Sequence, residues 1–368
     1  MFGNAMGNTL VSFVIVLGIL IFFHELGHFL VARLFRVGVE KFSLGFGPRL
    51  VGWKRGITDY RLSLVPLGGY VKMVGEEPDE DLPPERIPLS FTHKHVLKRI
   101  LIVFAGPFFN VVLAVLIFWV IAFSSGVLIL KPSIGSVKEG SPAQMSGFRP
   151  GDLVTAVDGV PVDTWESMAE RIGRSEGRTL AITVERPDGP VVLRVTPESA
   201  RTRNLLGEEV KRFVIGIGTA GETHSRQLGF FEAAGESLQQ TYGVVELMVV
   251  IVAKLFTGDI PIDTVGGPIM IAQMAGEQAK AGIASLFQFI AVISVNLAVI
   301  NLLPIPILDG GHLLFFAIEA VIGRPVSLKV REVAQQVGMV ILAMLMILVF
   351  YNDIVRLSPL IKKLFTNS

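Results

Sequence analysis

The sequence predicts an α-helical polytopic membrane protein with about four transmembrane helices, a membrane-associated β-hairpin element, and one β-rich domain inserted between the second and third spans. Three observations carry this. Hydrophobic residues make up 51% of the 368, charged residues 18%, and mean hydropathy is +0.59. A soluble chain of that size cannot cover so much apolar surface, so part of it faces lipid. Four stretches lack Asp, Glu, Lys and Arg over a length able to cross roughly 30 Å of hydrocarbon. A polar segment punctuated by Gly and Pro separates the second stretch from the third. The net charge of +1 gives no basic field, so nucleic acid is not an expected partner. With 0 cysteines there is no disulfide or thiolate site, and any metal must be held by His, Asp or Glu.

Residues 1–36 read as the first span. The charge-free run from Met1 to His24 has no basic n-region and no small-residue cleavage site, so a retained helix is expected and not a cleaved signal peptide. Residues 37–99 form the next segment. Between Leu44 and Met73, Gly45, Gly47-Pro48, the alternation Tyr60–Leu64 and Gly68-Gly69 predict β-hairpins. Their apolar content suggests an element that dips back towards the membrane, which irregular backbone tolerates only beside protein or a wet cavity; an ordinary cytoplasmic hairpin is the alternative. The run Glu76–Asp81 reads as an acidic loop.

The second span is placed at 100–127, and residues 128–218 read as a polar β-rich domain with Asp188-Gly189 at a turn. In the 219–281 region, Val244–Phe256 is interrupted by Glu246 and Lys254 and reads as an amphipathic helix, interfacial or packed on the bundle. The third span is placed at 282–308, a loop with a short helix at 309–332, the fourth span at 333–352 and a C-terminal tail at 353–368. Basic residues crowd 33–99 and recur at Arg324, Lys329 and Arg331, so both loops are expected on the cytoplasmic side. Arg356, Lys362 and Lys363 fall on the outer side, a mild conflict.

The sharpest chemical signal is His24-Glu25-Leu26-Gly27-His28. On a helix, residues four apart are offset by about 40°, so the two imidazoles face one way and can share one Zn²⁺, with Glu25 beside them as a base. Flanked by Ile21-Phe22-Phe23 and Phe29-Leu30-Val31, this polar group is costly in lipid unless it ligates something. A catalytic zinc needs a third protein ligand. Asp309, emerging after the proline-broken run Asn301–Leu308, is the candidate; a helix N-cap role for Asp309 and ligation by His312 are the alternatives. His93, His95 and His224 read as solvated.

Together, HELGH, the run Ala105–Asn110, the inserted domain and NLLPIPILDGGH resemble the bacterial site-2 proteases, intramembrane zinc metalloproteases of the regulator of sigma-E protease type. The inserted domain looks like a circularly permuted PDZ domain placed in the periplasm, with Ile134 and Gly135 in its peptide-end loop. The resemblance implies one catalytic Zn²⁺ on His24, His28 and Asp309, Glu25 as catalytic base, and Asn301, Gly68 and Gly69 near the substrate. It further implies an inner-membrane metalloendopeptidase acting on a single-pass membrane protein such as a pre-trimmed anti-sigma factor. The lipid bilayer and a peptide C-terminus at the PDZ-like domain are the other implied partners. One PDZ-like domain is legible here, whereas the best-known members of that family have two. A membrane metal transporter and a non-enzymatic scaffold are the rival readings. The first lacks polar residues spread over several spans, and the second has no use for Glu25.

Overall fold

A computed structural model describes residues 2–77, 81–203 and 209–366, so part of the expected 76–81 loop lies outside the described residues. The chain forms two compact units, Met1–Ile121 with Ala234–Ser368, and Ala122–Ala233. Five helices are long and apolar enough to cross a membrane.

The first unit begins with α1, Phe2–Leu34, and two long strands, β1 (Val39–Arg55) and β2 (Thr58–Met73). The predicted hairpin thus starts earlier than Leu44. Several register shifts fold the pair into a broader sheet: Lys41–Leu44 lie between Asp59–Leu62 on one side and Gly69–Lys72 on the other. The base of this sheet is buried, with Val39, Phe42, Val71 and Met73 packed against Ala32, Ile102 and Phe316. Its far end exposes Leu50, Val51, Trp53, Leu62 and Leu64.

Helix α2, Val96–Ser125, crosses α1 closely. A Cβ on Gly27 would sit 2.2 Å from the Ala105 carbonyl oxygen, so the glycine inside HELGH is what lets the two backbones approach.

The second unit contains the strands β3 (Val127–Leu130) and β4 (Ile134–Val137), then α3 (Pro142–Met145) and β5 (Leu153–Val157). After β6 (Val160–Pro161) come α4 (Trp165–Gly173), β7 (Leu180–Arg186) and β8 (Gly189–Val195). The unit closes with β9 (Glu198–Arg203), β10 (Glu209–Val214), β11 (Ile217–Thr219) and β12 (Thr223–Arg226). The sheet β6-β5-β7-β8 covers a core of Ile134, Phe148, Val154, Met168, Ile182 and Val184. Alternation of buried and half-buried residues along β7 is the expected signature of a strand with one face on that core. Thr164 caps α4 by accepting from the Ser167 N–H. Ile134 and Gly135 do not form a loop. They lie in β4, which pairs with β11; Ile134 is fully buried with its N–H bonded to the Asp152 carbonyl, while Gly135 is exposed.

The chain then returns to the first unit through α5, Phe230–Thr257, far longer than the apolar core Val244–Phe256 that marks it in sequence. Val244, Val245 and Met248 pack on the bundle core around Val16, Leu20 and Leu113. Helix α6, Pro268–Ala281, lays Gly276 against Thr9 of α1. Its first N–H groups are capped from a distance: Asp353 accepts from the N–H groups of Gly267, Ile269 and Met270. Helix α7 spans Ile283–Asn301 and α8 Asp309–Ile322. Helix α9, Leu328–Thr366, continues through the expected tail. The small residues Ala114, Ala275 and Ala291 within the bundle core permit the close packing by which helices associate where lipid competes with apolar side chains.

Candidate metal centre

His24 and His28 project from α1 with ring centroids 4.8 Å apart and Nε2 atoms 3.2 Å apart. Asp309 reaches them because the chain after α7 turns sharply. Pro304 and Pro306 stop the helix, and the 302–306 segment folds back over the start of α8. Gly310 and Gly311 are needed at that turn. A Cβ on the first would lie 2.2 Å from the Leu303 carbonyl oxygen, and on the second 2.4 Å from that of Ile305. Asp309 is the first residue of α8, its own side chain makes no cap, and Leu308 stands at the N-cap. The carboxylate turns to the histidines instead: Asp309 Oδ2 is 3.1 Å from His24 Nε2 and 3.6 Å from His28 Nε2.

These atoms suit a cation. Ligand atoms bonded at about 2.0–2.1 Å to one tetrahedral Zn²⁺ stand roughly 3.4 Å apart, and the three separations bracket that value. Asp309 Oδ2 is buried and has no hydrogen-bond partner, and a buried carboxylate oxygen left so is costly unless a positive charge faces it. The donor set is two imidazole nitrogens and one oxygen, all within 4.8 Å of one another, which is the ligand chemistry of a catalytic zinc with one position left open.

The rings are oriented from α2. His28 Nδ1 donates to the Ile102 carbonyl oxygen at 2.9 Å, which leaves Nε2 as the lone-pair nitrogen. His24 Nδ1 lies 3.3 Å from the Asn110 amide. Gly106 provides the room: a Cβ there would fall 2.3 Å from His28 Nε2 and 2.9 Å from His24 Cε1.

Glu25, buried, shares with these residues a cavity of about 790 Å³. One wall of that cavity is the segment Gly69–Met73, which pairs with β1 on one side and has no strand partner on the other among the described residues. Gly69 abuts Glu25, since a Cβ there would be 3.0 Å from Glu25 Cγ. Across the cavity stand Arg99, His312, Phe315, Phe316 and Arg331. Arg99 is bonded through both terminal nitrogens to Glu319, and Arg331 pairs with the same carboxylate, tying α2, α8 and α9 together.

The structure thus brings His24, Glu25, His28, Asp309 and Gly69 to one place. Gly68 lies behind, under the Phe46 ring, and Asn301 ends α7 outside the cavity lining. His312 lines the cavity beyond the three clustered atoms, while His93 bonds Ser90 and His95 accepts from the Leu97 N–H at the start of α2. Sequence reasoning met Gly106 only within the run Ala105–Asn110 and did not single out Ile102 or the Arg99–Glu319–Arg331 group. The only sequence trace of the last is charge at the ends of apolar helices.

Comparison with known proteins agrees in kind. A sequence profile described as peptidase family M50 matches residues 12–345. A protein of Agrobacterium fabrum named as a zinc metalloprotease is 37% identical over 362 residues, covering 94% of this chain and 95% of that relative. The regulator of sigma-E protease RseP of Escherichia coli is 32% identical over 450 residues, covering 95% and 98%. That alignment is longer than this chain, so the relative carries stretches with no counterpart here. Among solved structures, the PDZ domain of an SdrC-like protein from Listeria monocytogenes matches at 22% identity and a TM-score of 0.20, covering 24% of this chain and 85% of that one.

Proposed function

The chain belongs to peptidase family M50 and is a metalloprotease of the site-2 type; from that premise we propose that it hydrolyses a peptide bond in or near the membrane segment of a single-pass membrane protein, with one Zn²⁺ held by His24, His28 and Asp309. The observation that carries the reading is the meeting of three ligand atoms from α1 and α8 beside Glu25 in one cavity. An anti-sigma factor trimmed beforehand outside the membrane is the substrate class this reading favours, in line with the name of the Escherichia coli relative, regulator of sigma-E protease.

When bound, Zn²⁺ polarises the scissile carbonyl and makes water acidic near neutral pH. Glu25 takes the proton of the attacking water and hands it to the leaving nitrogen. The free edge of Gly69–Met73 receives the substrate as an added strand, which unwinds a helical segment and presents its carbonyls in extended form. Gly69, lacking a side chain, lets that strand come close to Glu25. Asn301, at the end of α7 before the turn to Asp309, and Gly68, beside Gly69 in β2, complete the substrate-binding set in this reading. The exposed apolar end of the β1–β2 sheet is the part that re-enters lipid.

Four crossings suit the site better than five. Arg331 in the first turn of α9 pairs with Glu319, while Asp353 and Arg356, about six turns further along, contact 263–270. Helix α5 therefore ends near the outer end of α9. In this reading α5, interrupted by Glu246 and Lys254, lies along the bundle without crossing it. The histidines and Asp309 then share the cytoplasmic half of an inner-membrane protein, and the 128–218 unit, PDZ-like in this reading, stands in the periplasm and selects substrates by their trimmed ends. Basic residues around 33–99 and 324–331 support that orientation.

Metal content of the detergent-purified protein tests the reading. Wild type is expected to hold about one zinc per chain, and both His28→Ala and Asp309→Ala to lose it. Little zinc in folded wild type, or full zinc in Asp309→Ala, would break the assignment.

A further inference from the structure

We propose that Asn110 is a positioning residue for the metal centre: its side-chain oxygen accepts a hydrogen bond from the Nδ1–H of His24 and so fixes the tautomer that leaves Nε2 free to ligate. The inference rests on the ligand assignment above and adds to it a residue that touches neither metal nor substrate.

Asn110 is fully buried on α2, its amide 3.3 Å from His24 Nδ1, and its Oδ1 has no hydrogen-bond partner. The amide nitrogen is the atom placed against the imidazole. In that orientation Nδ1 must accept, and the ring proton falls on Nε2. Nε2 then points a hydrogen at a space already shared with His28 Nε2 and Asp309 Oδ2, and it has no lone pair for a metal. A half-turn of the planar amide exchanges oxygen and nitrogen with almost no change in shape. Turned so, Oδ1 takes the partner that the amide nitrogen gives up, Nδ1 donates, and Nε2 faces Asp309 with the lone pair that a metal needs.

The second histidine supplies an internal control. His28 Nδ1 meets the Ile102 carbonyl, an acceptor whose identity is beyond question, and this forces the same tautomer. One helix thus holds both ligand rings by their outer nitrogens, one through a backbone oxygen and one through the amide of Asn110. The α2 backbone at this point is itself tied, since Ser294 Oγ of α7 donates to the Asn110 carbonyl at 2.8 Å. The amide is therefore aimed from a fixed position. Outer partners of this kind set ring orientation and ligand basicity in metal sites.

The test is zinc affinity by chelator competition on the full-length protein in detergent, comparing wild type, Asn110→Leu, Asn110→Ala, Asn110→Asp and Asp309→Ala. Asn110→Leu and Asn110→Ala are expected to bind zinc about 10–100-fold more weakly. Asn110→Asp keeps an acceptor at the same place, cannot donate when ionised, and is expected to match wild type or exceed it. A residue that merely fills space would give the opposite order, with buried charge worse than leucine. Wild-type affinity in Asn110→Leu or Asn110→Ala, or a loss in Asn110→Asp equal to theirs, overturns the proposal while leaving the ligands intact. Equal affinity in wild type and Asp309→Ala would instead bring down the ligand assignment, and this inference with it.

Discussion

His24 Nε2 on α1 and Asp309 Oδ2 at the start of α8 lie 3.1 Å apart, and the oxygen has no hydrogen-bond partner of its own. Two groups from opposite ends of the chain are held in van der Waals contact at a buried point, with Glu25 and the free edge of Gly69–Met73 alongside. The relation separates ligation from proton transfer, so each can be removed alone.

Glu25→Gln keeps the shape of the side chain and all three ligands. It is expected to retain zinc at the wild-type level while cleavage of a membrane-embedded substrate falls by about 10²–10⁴-fold. Zinc content and single-turnover cleavage measured on the same preparation check this, and an active variant removes Glu25 from the proton path.

Gly106→Ala puts a methyl group where His28 Nε2 and His24 Cε1 already sit. Zinc affinity is expected to fall at least about tenfold as the rings are pushed out of line. Gly18→Ala, on α1 with nothing within 4 Å of the added atom, is the matched control. It should leave zinc binding unchanged and stability within about 1 kcal/mol of wild type.

In the β-rich unit, burial alone would raise the Asp152 carboxyl, but hydrogen bonds from Arg186 and from the Arg149 N–H outweigh it and hold the group below the usual carboxylate range. A depressed acid stabilises the folded state above its unfolded value, about 3.9, and that stabilisation is lost as pH falls through the lower folded value. Protection of the β5 and β7 amides against exchange, relative to the unfolded chain at the same pH, is therefore expected to fall as pH drops below about 4. Arg186→Met should destabilise the unit by at least about 2 kcal/mol at pH 7 and flatten the acid dependence. An unchanged acid profile in that variant would show that the pair contributes nothing.

Much of the local architecture was legible because it follows from short-range rules. Charge-free runs of sufficient length mark α1, α2, α7 and most of α9, and period-two alternation between glycine turns marks β1 and β2. The HELGH spacing places two imidazoles on one helix face without any tertiary information. Reading failed where pairing decides the role. Ile134-Gly135 has the composition of a loop, yet pairing with β11 makes it part of a strand that buries Ile134 and leaves Gly135 exposed. Residues 230–243 are too polar to extend an apolar helix in sequence, yet α5 runs through them.

Chain order by itself determined the membrane class, the two histidines on one helix face, the carboxylate of Glu25 beside them and Asp309 as a candidate third ligand. Periodicity and composition act over a few residues, and those are the distances a sequence reports. Only the tertiary structure decided that Asp309 turns to the imidazoles instead of capping α8, that Gly69 and not Gly68 faces Glu25, and that Ile102 and Asn110 lie against the outer nitrogens of the rings. Each of those is a contact between segments far apart in the chain, set by how closely α1 can approach α2 at Gly27 and Gly106 and by how the two prolines turn the chain before α8.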